Sequence, residues 1–213
     1  MANFVPYNGF SKVILQYAEG FYKMECISAA KEIGFEGVCR LNTESLHPLQ
    51  EVREMCAADR CGAYGKCWSC PPACGSIEHC TKRLAEYSDG ILVQTVGTLA
   101  DEYDLDGIRT ARLLHDRRFR TLVRQIRFSQ PDCLPLSAGN CMLCLACTYP
   151  ARPCRFPKKM LSSMEAYGLL VKEVCERSGL PYYHGKGTIS FTSCVLYHHN
   201  YIGNSLDRPG KAK

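Results

Sequence analysis

The cysteines of this chain are concentrated in two short segments, and no other feature of the sequence constrains the fold as strongly. Of the 15 cysteines in 213 residues, six fall between positions 56 and 80 and four between positions 141 and 154. Cysteines that only fill a core behave as small apolar residues and need no such clustering. A chain of this length can bury a core without disulfides, and an odd number of cysteines leaves at least one thiol unpaired. The clustered thiols are therefore predicted to be metal ligands.

The second segment has the sharper ligand pattern. It reads Cys141-Met-Leu-Cys144-Leu-Ala-Cys147 and continues to Cys154 through a turn that contains prolines. Two successive Cys-x2-Cys steps bring three thiolates to one side of a tight loop, which is typical of iron–sulfur cubanes. All four thiolates are expected to bind one cluster. The alternative is a four-cysteine zinc site, but such sites normally pair two well-separated Cys-x2-Cys knuckles.

The first segment is predicted to be an irregular loop over residues 56–80, because its glycines and its Pro-Pro pair break regular elements. Long loops of this kind are uncommon unless something other than backbone pairing holds them, and a metal cluster does so. One cubane needs only four thiolates, so at least two of the six are spare, bridging or part of a larger site. The six are Cys56, Cys61, Cys67, Cys70, Cys74 and Cys80.

Together the two segments resemble the DUF2284 family of predicted metal-binding proteins. The resemblance rests on Tyr64-Gly-Lys-Cys-Trp-Ser-Cys-Pro-Pro72, on the Cys-x2-Cys-x2-Cys run and on Ser163-Met-Glu-Ala-Tyr-Gly168. It extends from about Val52 to Tyr197 and implies a metal or iron–sulfur cofactor, but no reaction. The ligands that it implies are eight cysteines: Cys56, Cys61, Cys70, Cys80, Cys141, Cys144, Cys147 and Cys154. Cys67 and Cys74 depart from the family's pattern.

Two further residues of the first segment are predicted to contact the cofactor. Lys66 lies between the ligands and could donate a hydrogen bond to a cluster sulfur, which would raise the reduction potential. A plain surface lysine is the alternative. Trp68 is the only tryptophan in the chain, and we expect it to pack over the cluster.

Hydrophobic periodicity predicts the scaffold that holds the two segments. Helices are expected over residues 21–33, 49–55, 106–128 and 162–177, and strands over residues 90–99, 133–136 and 188–199. The last helix is predicted to begin with a capping box of Ser162 and Glu165. Cys133, Cys175 and Cys194 lie in apolar patterns and are expected in the core.

The alternation of strands and helices predicts an α/β fold. We expect a single sandwich with a small mixed sheet, flanking helices and two inserted cysteine-rich metal-binding loops. One domain is expected over residues 1–204, with its cysteine loops at 56–80 and 141–157. Residues 205–213 are predicted to be a flexible polar tail.

Positive charge is concentrated in one predicted helix. The formal net charge is +5, and residues 108–127 carry seven arginines against one acid, Asp116. A local positive field speeds encounter with an acidic partner, so the basic helix 108–127 is predicted to dock an acidic redox protein. The alternative is a solvated face paired with acids elsewhere. Nucleic acid is disfavoured, because only Phe119 and Phe128 interleave with the basic residues.

Several function classes are excluded by what the sequence lacks. No apolar run approaches the length of a membrane helix, and the N-terminal residues lack the pattern of a secretory signal, so we expect a cytoplasmic protein with no membrane partner. The leading hypothesis is an iron–sulfur protein with two [4Fe-4S] clusters, in electron transfer or in a larger redox enzyme system. One alternative is a metalloenzyme with an unusual or open cluster in the 56–80 loop. Another is a zinc-stabilised interaction module with a basic docking helix.

Overall fold

The computed structural model describes residues 26–198, which form five helices and one four-stranded sheet. Its strands are β1 (Gly37–Arg40), β2 (Asp89–Thr98), β3 (Leu134–Leu136) and β4 (Thr188–Tyr197). Its helices are α1 (26–33), α2 (Gln50–Ala57), α3 (Ile77–Ala85), α4 (Leu105–Ser129) and α5 (Val171–Arg177). Within residues 26–198, no helix has both the length and the apolar content that crossing a bilayer requires. The tail predicted at 205–213 lies outside the described residues.

The sheet has the order β1-β2-β4-β3, and every neighbouring pair is antiparallel. The predicted α/β class is confirmed, but the sheet is antiparallel where a mixed one was expected. The reason is that β2 and β4 pair over their full ten residues, from Asp89 opposite Tyr197 to Thr98 opposite Thr188, and the two short strands add antiparallel at the edges. In the part of the chain that the structure describes, the one parallel contact is an isolated bridge between Ser137 and Ser163, just beyond β3.

Helices cover both faces of the sheet, as the predicted sandwich requires. Successive residues of a strand point to opposite faces. Leu92 and Leu196 belong to a core that includes buried residues of α3 and α5. Ile91 and Val195 belong to a second core on the other face, built with α1 and α4. The central strands are therefore buried on both sides.

The predicted helix over 162–177 is wrong in its first half. Residues Glu165–Tyr167 form a single 3-10 turn, and the chain breaks at Gly168, whose φ of 81° is left-handed. The helix α5 begins only at Val171. The hydroxyl that caps the turn belongs to Ser163 and accepts from the Ala166 backbone N–H at 3.0 Å, so Ser162 is not the cap.

The end of the predicted first loop is also regular structure. Helix α3 runs from Ile77 to Ala85 and contains Cys80. Ser76 begins it, because its hydroxyl accepts from the His79 backbone N–H at 3.2 Å. The irregular part of the first cysteine segment is therefore the stretch between α2 and α3.

The short length of β3 opens a space beside the sheet. β3 pairs only with residues 194–196 of β4, and the chain then leaves the sheet at Ser137, whose backbone bonds to Ser162 and Met164 instead. In the described structure, residues 188–193 of β4 therefore have no strand on this side. The cysteine segments border the space that results.

Candidate metal centres

The two cysteine segments meet at the turn formed by residues 67–70. The Cys141 backbone N–H donates to the Ser69 hydroxyl at 3.1 Å, and the Trp68 backbone N–H donates to the Cys147 sulfur at 3.5 Å. Ser69 is fully buried. Thiols that are far apart in sequence, such as those of Cys67 and Cys141, are thus brought together at one turn.

On one side of this turn lies a cavity of about 220 Å³, which we call the outer cavity. All four cysteines predicted to hold the second cluster line it, and so does Cys67, which neither the spacing nor the family resemblance assigned. The five are Cys67, Cys141, Cys144, Cys147 and Cys154. Cys67 also packs against Cys141 and Cys147. The structure therefore brings the whole predicted set together and adds a fifth thiol.

The pKa values of two thiols in the outer cavity are shifted in opposite directions by their surroundings. Burial would raise the pKa of Cys147, but hydrogen bonds from the Tyr149 and Trp68 backbone N–H groups lower that pKa below its usual range. Burial raises the pKa of Cys141. Metal ligation requires the thiolate. The hydrogen bonds to Cys147 favour its thiolate, whereas the burial of Cys141 disfavours the thiolate there.

Lys66 and Trp68 both line the outer cavity, but each already has a protein partner. The Lys66 ammonium pairs with Asp59 at 2.6 Å rather than with a sulfur. The Trp68 ring packs edge-on against Tyr149, with ring centres 4.9 Å apart, and its indole N–H donates to the Arg152 carbonyl at 3.1 Å. Trp68 therefore holds the second cysteine loop onto the first.

On the other side of the turn lies a larger cavity of about 450 Å³, which we call the inner cavity. Three of the predicted ligands line it, namely Cys56, Cys61 and Cys70. Its far wall is the half of β4 that β3 leaves unpaired, including Ile189 and Phe191. Burial raises the pKa of Cys70 to about 12, while a hydrogen bond from Ser69 opposes the rise.

Cys80 lies apart from the three thiols with which it was grouped. It is fully buried on α3 and its thiol hydrogen-bonds with that of Cys74. This bond lowers the pKa of Cys74 to about 6, against the effect of burial, and the Arg53 guanidinium 3.3 Å from the Cys74 sulfur lowers it further. The same bond raises the pKa of Cys80. Cys74 and Cys80 thus form a separate thiol pair beside Arg53.

The five remaining cysteines pack in the hydrophobic core. Cys133, Cys175 and Cys194 are buried, as their apolar surroundings in the sequence predicted. Cys26 is buried as well, and the partly buried Cys39 packs against the core that contains Cys175 and Cys194. These positions need no role in metal binding.

The cysteine thiols line the two cavities and do not meet at a single metal-ion position. Among residues 26–198, no three Cys, His, Asp or Glu side chains are arranged to hold one metal ion. A zinc site needs its four sulfurs within about 2.3 Å of a single ion. A cubane instead takes one thiolate at each iron corner, so its ligands stand around it. The outer cavity is lined by thiols, and this donor type fits such a cluster.

Sequence reasoning missed two residues that matter at these cavities. Ser69 hydrogen-bonds to both segments, but nothing in its sequence context marks a serine between two cysteines. Glu165 was interpreted only as part of a helix cap, yet it lines the inner cavity. Its carboxylate oxygen Oε2 is buried and has no hydrogen-bond partner within residues 26–198. No sequence pattern distinguishes such a carboxylate from a capping one.

Comparison with models of known protein families gives a match. A family model described as a predicted metal-binding protein (DUF2284) matches residues 39–197. That range covers about three quarters of the chain and includes all the cysteines that line the two cavities. No curated protein and no solved structure matches the chain.

Proposed function

The chain belongs to the DUF2284 family of predicted metal-binding proteins, and from that premise we propose that it is an iron–sulfur protein with two cluster sites. It acts in electron transfer or as the redox component of a larger enzyme system. The observation that carries this proposal is the outer cavity, where five thiols from two distant segments surround one space. Cysteine thiolates are the usual ligands of [4Fe-4S] clusters, which supply one-electron redox chemistry.

At the outer cavity, the four cysteines of the second segment would hold the cluster. The loop that carries them is braced by its own hydrogen bonds, from the Arg155 guanidinium to the Ala146 carbonyl at 2.8 Å and from the Thr148 hydroxyl to the Pro153 carbonyl at 2.9 Å. The hydrogen bond from the Trp68 backbone N–H to the Cys147 sulfur would raise the reduction potential of the cluster, because hydrogen bonds to cluster ligands have that effect. Cys67 would stand beside these ligands as a fifth thiol.

The inner cavity would hold the second site, and the two sites share the turn at residues 67–70. The Ser69 hydroxyl lies 3.2 Å from the Cys67 sulfur and 3.7 Å from the Cys70 sulfur. Cys67 lines the outer cavity and Cys70 the inner one. A short bridge of this kind between two redox sites supports a role in passing electrons.

The basic surface gives the proposed electron carrier a place to dock an acidic partner. Four of the seven helix arginines make contacts within the protein: Arg112 with Asn140, Arg118 with Glu36, Arg120 with Asp116 and Lys159, and Arg127 with Lys158. The last two bind α4 to the end of the second cysteine loop. That loop is itself basic and exposed at Arg152, Arg155, Lys158 and Lys159, and no acid occurs between residues 133 and 164.

We therefore place the docking surface at the second cysteine loop together with the adjoining end of α4. The Leu145 side chain is fully exposed there, between two cysteines of the outer cavity. With an acidic flavodoxin as electron donor, the K158E/K159E variant should be reduced more slowly than the wild type at low salt, and raising the salt should remove the difference. A K172E variant, altered on α5, is the matched control. Equal rates at low salt would remove the docking surface from the proposal.

Metal analysis tests the proposed function. Protein purified without oxygen should be brown and contain about eight irons and about eight acid-labile sulfides per chain if both sites hold cubanes. A C144S variant should lose one cluster and keep the other, while C133A, altered in the core, should keep both. Colourless protein with stoichiometric zinc and no iron would contradict the proposal.

A further inference from the structure

The inner cavity has the properties of a small-molecule site. Its volume of about 450 Å³ lies within the range of ligand pockets, which are mostly apolar with a few placed polar groups. Apolar side chains from three elements line it: Ile108 of α4, Val171 of α5 and Phe191 of β4. The cavity exists because β3 ends early and leaves part of β4 without a neighbour.

Glu165 is the polar group in this cavity that the protein itself leaves incomplete. Burial raises the pKa of its carboxyl group, and hydrogen bonds from its own backbone N–H and from the Ser163 hydroxyl oppose that rise. The oxygen Oε2 is nevertheless buried with no partner among the described residues. A buried acceptor without a donor is energetically unfavourable and calls for a partner. A ligand with N–H donors would supply one.

Arg112 supplies the opposite charge on the same cavity. Its Nη2 donates to the side chain and the backbone carbonyl of Asn140, which fixes the guanidinium at the wall. Gly139 leaves room for it, because a Cβ at that residue would lie 3.2 Å from the Arg112 Nη2. A guanidinium has five N–H donors, and the two bonds to Asn140 use one nitrogen only. The cavity therefore offers a fixed cation as well as an acceptor.

We infer that the inner cavity binds an apolar α-amino acid, with the ammonium group at Glu165, the carboxylate at Arg112 and the side chain against Ile108, Val171 and Phe191. A zwitterion matches one acid and one base, whereas a simple cation or a simple anion meets one like charge. The inference deepens the proposed function, because Cys56, Cys61 and Cys70 line the same cavity. Three thiolates are one fewer than a cubane takes, so the proposed inner site would leave a ligand position for a bound molecule.

Calorimetric titration of the full-length protein, purified without oxygen, tests the inference with L-leucine, L-methionine and L-phenylalanine as probes. At least one of the three should bind. 3-Phenylpropionate lacks the ammonium group and phenethylamine lacks the carboxylate, so each should bind at least tenfold more weakly than L-phenylalanine. These comparisons need no variant and stand even if a substitution prevents folding. Binding of none of the amino acids, or equal binding of the single-charge analogues, would overturn the inference.

Two variants assign the charges. E165Q keeps the shape of the side chain and should weaken the amino acid about tenfold or more, with little change for 3-phenylpropionate. R112M should weaken binding of the amino acid, whereas phenethylamine should bind as tightly as to the wild type or more tightly. E44Q, altered at an exposed carboxylate of the 3-10 turn Thr43–Ser45, is the matched control and should bind like the wild type. Wild-type affinity in E165Q would contradict the assignment of Glu165.

Metal analysis of the same samples separates the two proposals. Amino-acid binding by a protein that holds no iron would support the cavity assignment and refute the proposed function. An iron-loaded protein that binds no amino acid would support the proposed function and refute the cavity assignment. If both proposals are correct, adding the amino acid should change the electron paramagnetic resonance spectrum of the reduced wild type. It should not change the spectrum of a C61S variant, which lacks one thiol of the inner cavity.

Discussion

Replacing Ser69 by alanine removes the hydroxyl through which the two cysteine segments meet. The Cys141 backbone N–H loses its acceptor at 3.1 Å, and the Cys67 and Cys70 sulfurs lose a polar neighbour at 3.2 and 3.7 Å. A buried donor left unpaired costs about 1–3 kcal/mol. Because Cys141 keeps some exposure, we expect S69A to lower the free energy of unfolding by about 1–2 kcal/mol.

The same substitution should weaken metal binding. The Ser69 hydrogen bond holds the pKa of Cys70 below the value that burial alone would give. Without it that pKa rises further, the thiolate becomes rarer at neutral pH, and a metal that needs the thiolate binds less tightly.

Urea unfolding and the rate of iron loss to a chelator measure the two effects of S69A. T121A is the control, because the Thr121 hydroxyl donates to the Arg117 carbonyl of its own helix at 3.0 Å and does not join the cysteine segments. It should change stability by less than about 0.5 kcal/mol. If S69A matched T121A in stability and also lost iron no faster than the wild type, the joining role of Ser69 would be refuted.

Three further predictions concern the scaffold. His115 lies buried between the Thr95 and Ser193 hydroxyls, and burial lowers its pKa to about 3. The unfolded chain, in which the pKa of this histidine is near 6.5, then binds the proton first. In urea unfolding His115 should therefore make the wild type about 1–2 kcal/mol less stable at pH 5 than at pH 6.5, and H115Q should lack this part of the pH dependence. G97A should lose about 1–3 kcal/mol in the same assay, because a Cβ at Gly97 would lie 2.5 Å from that of Ala111; an unchanged stability would show that α4 can shift away. F119A should lose about 3–5 kcal/mol, because the ring is fully buried, and a loss below 1 kcal/mol would contradict the described core.

The parts of the fold that could be predicted are those with a strong local pattern. The long periodic run of α4 and the β-branched runs of β2 and β4 each identify their element within one or two residues. β1 was missed because four residues carry too little periodicity, and α3 because the surrounding glycines and prolines suggested a loop. The sheet's strand directions depend on pairing between distant strands, which no local pattern contains.

The candidate site divides in the same way. Cys141, Cys144, Cys147 and Cys154 are close in sequence, so their spacing alone predicted that they would lie together, and they line one cavity. The grouping of the first segment depends on where the chain turns. Cys67 faces the second loop because the neighbouring Ser69 accepts a hydrogen bond from that loop at Cys141. Cys80 pairs with Cys74 because Cys80 lies on α3, away from the turn. Spacing could not reveal either placement.

The central claim is that the thiols form two distinct cluster sites, one at each cavity. Its most direct test is iron and acid-labile sulfide per chain in the wild type, C144S and C61S, all purified without oxygen. With two cluster sites, the wild type should contain about eight of each and each variant about four, and the clusters that remain in the two variants should give different electron paramagnetic resonance spectra. Loss of all iron in both single variants would show that the cysteines share one site and would contradict the account.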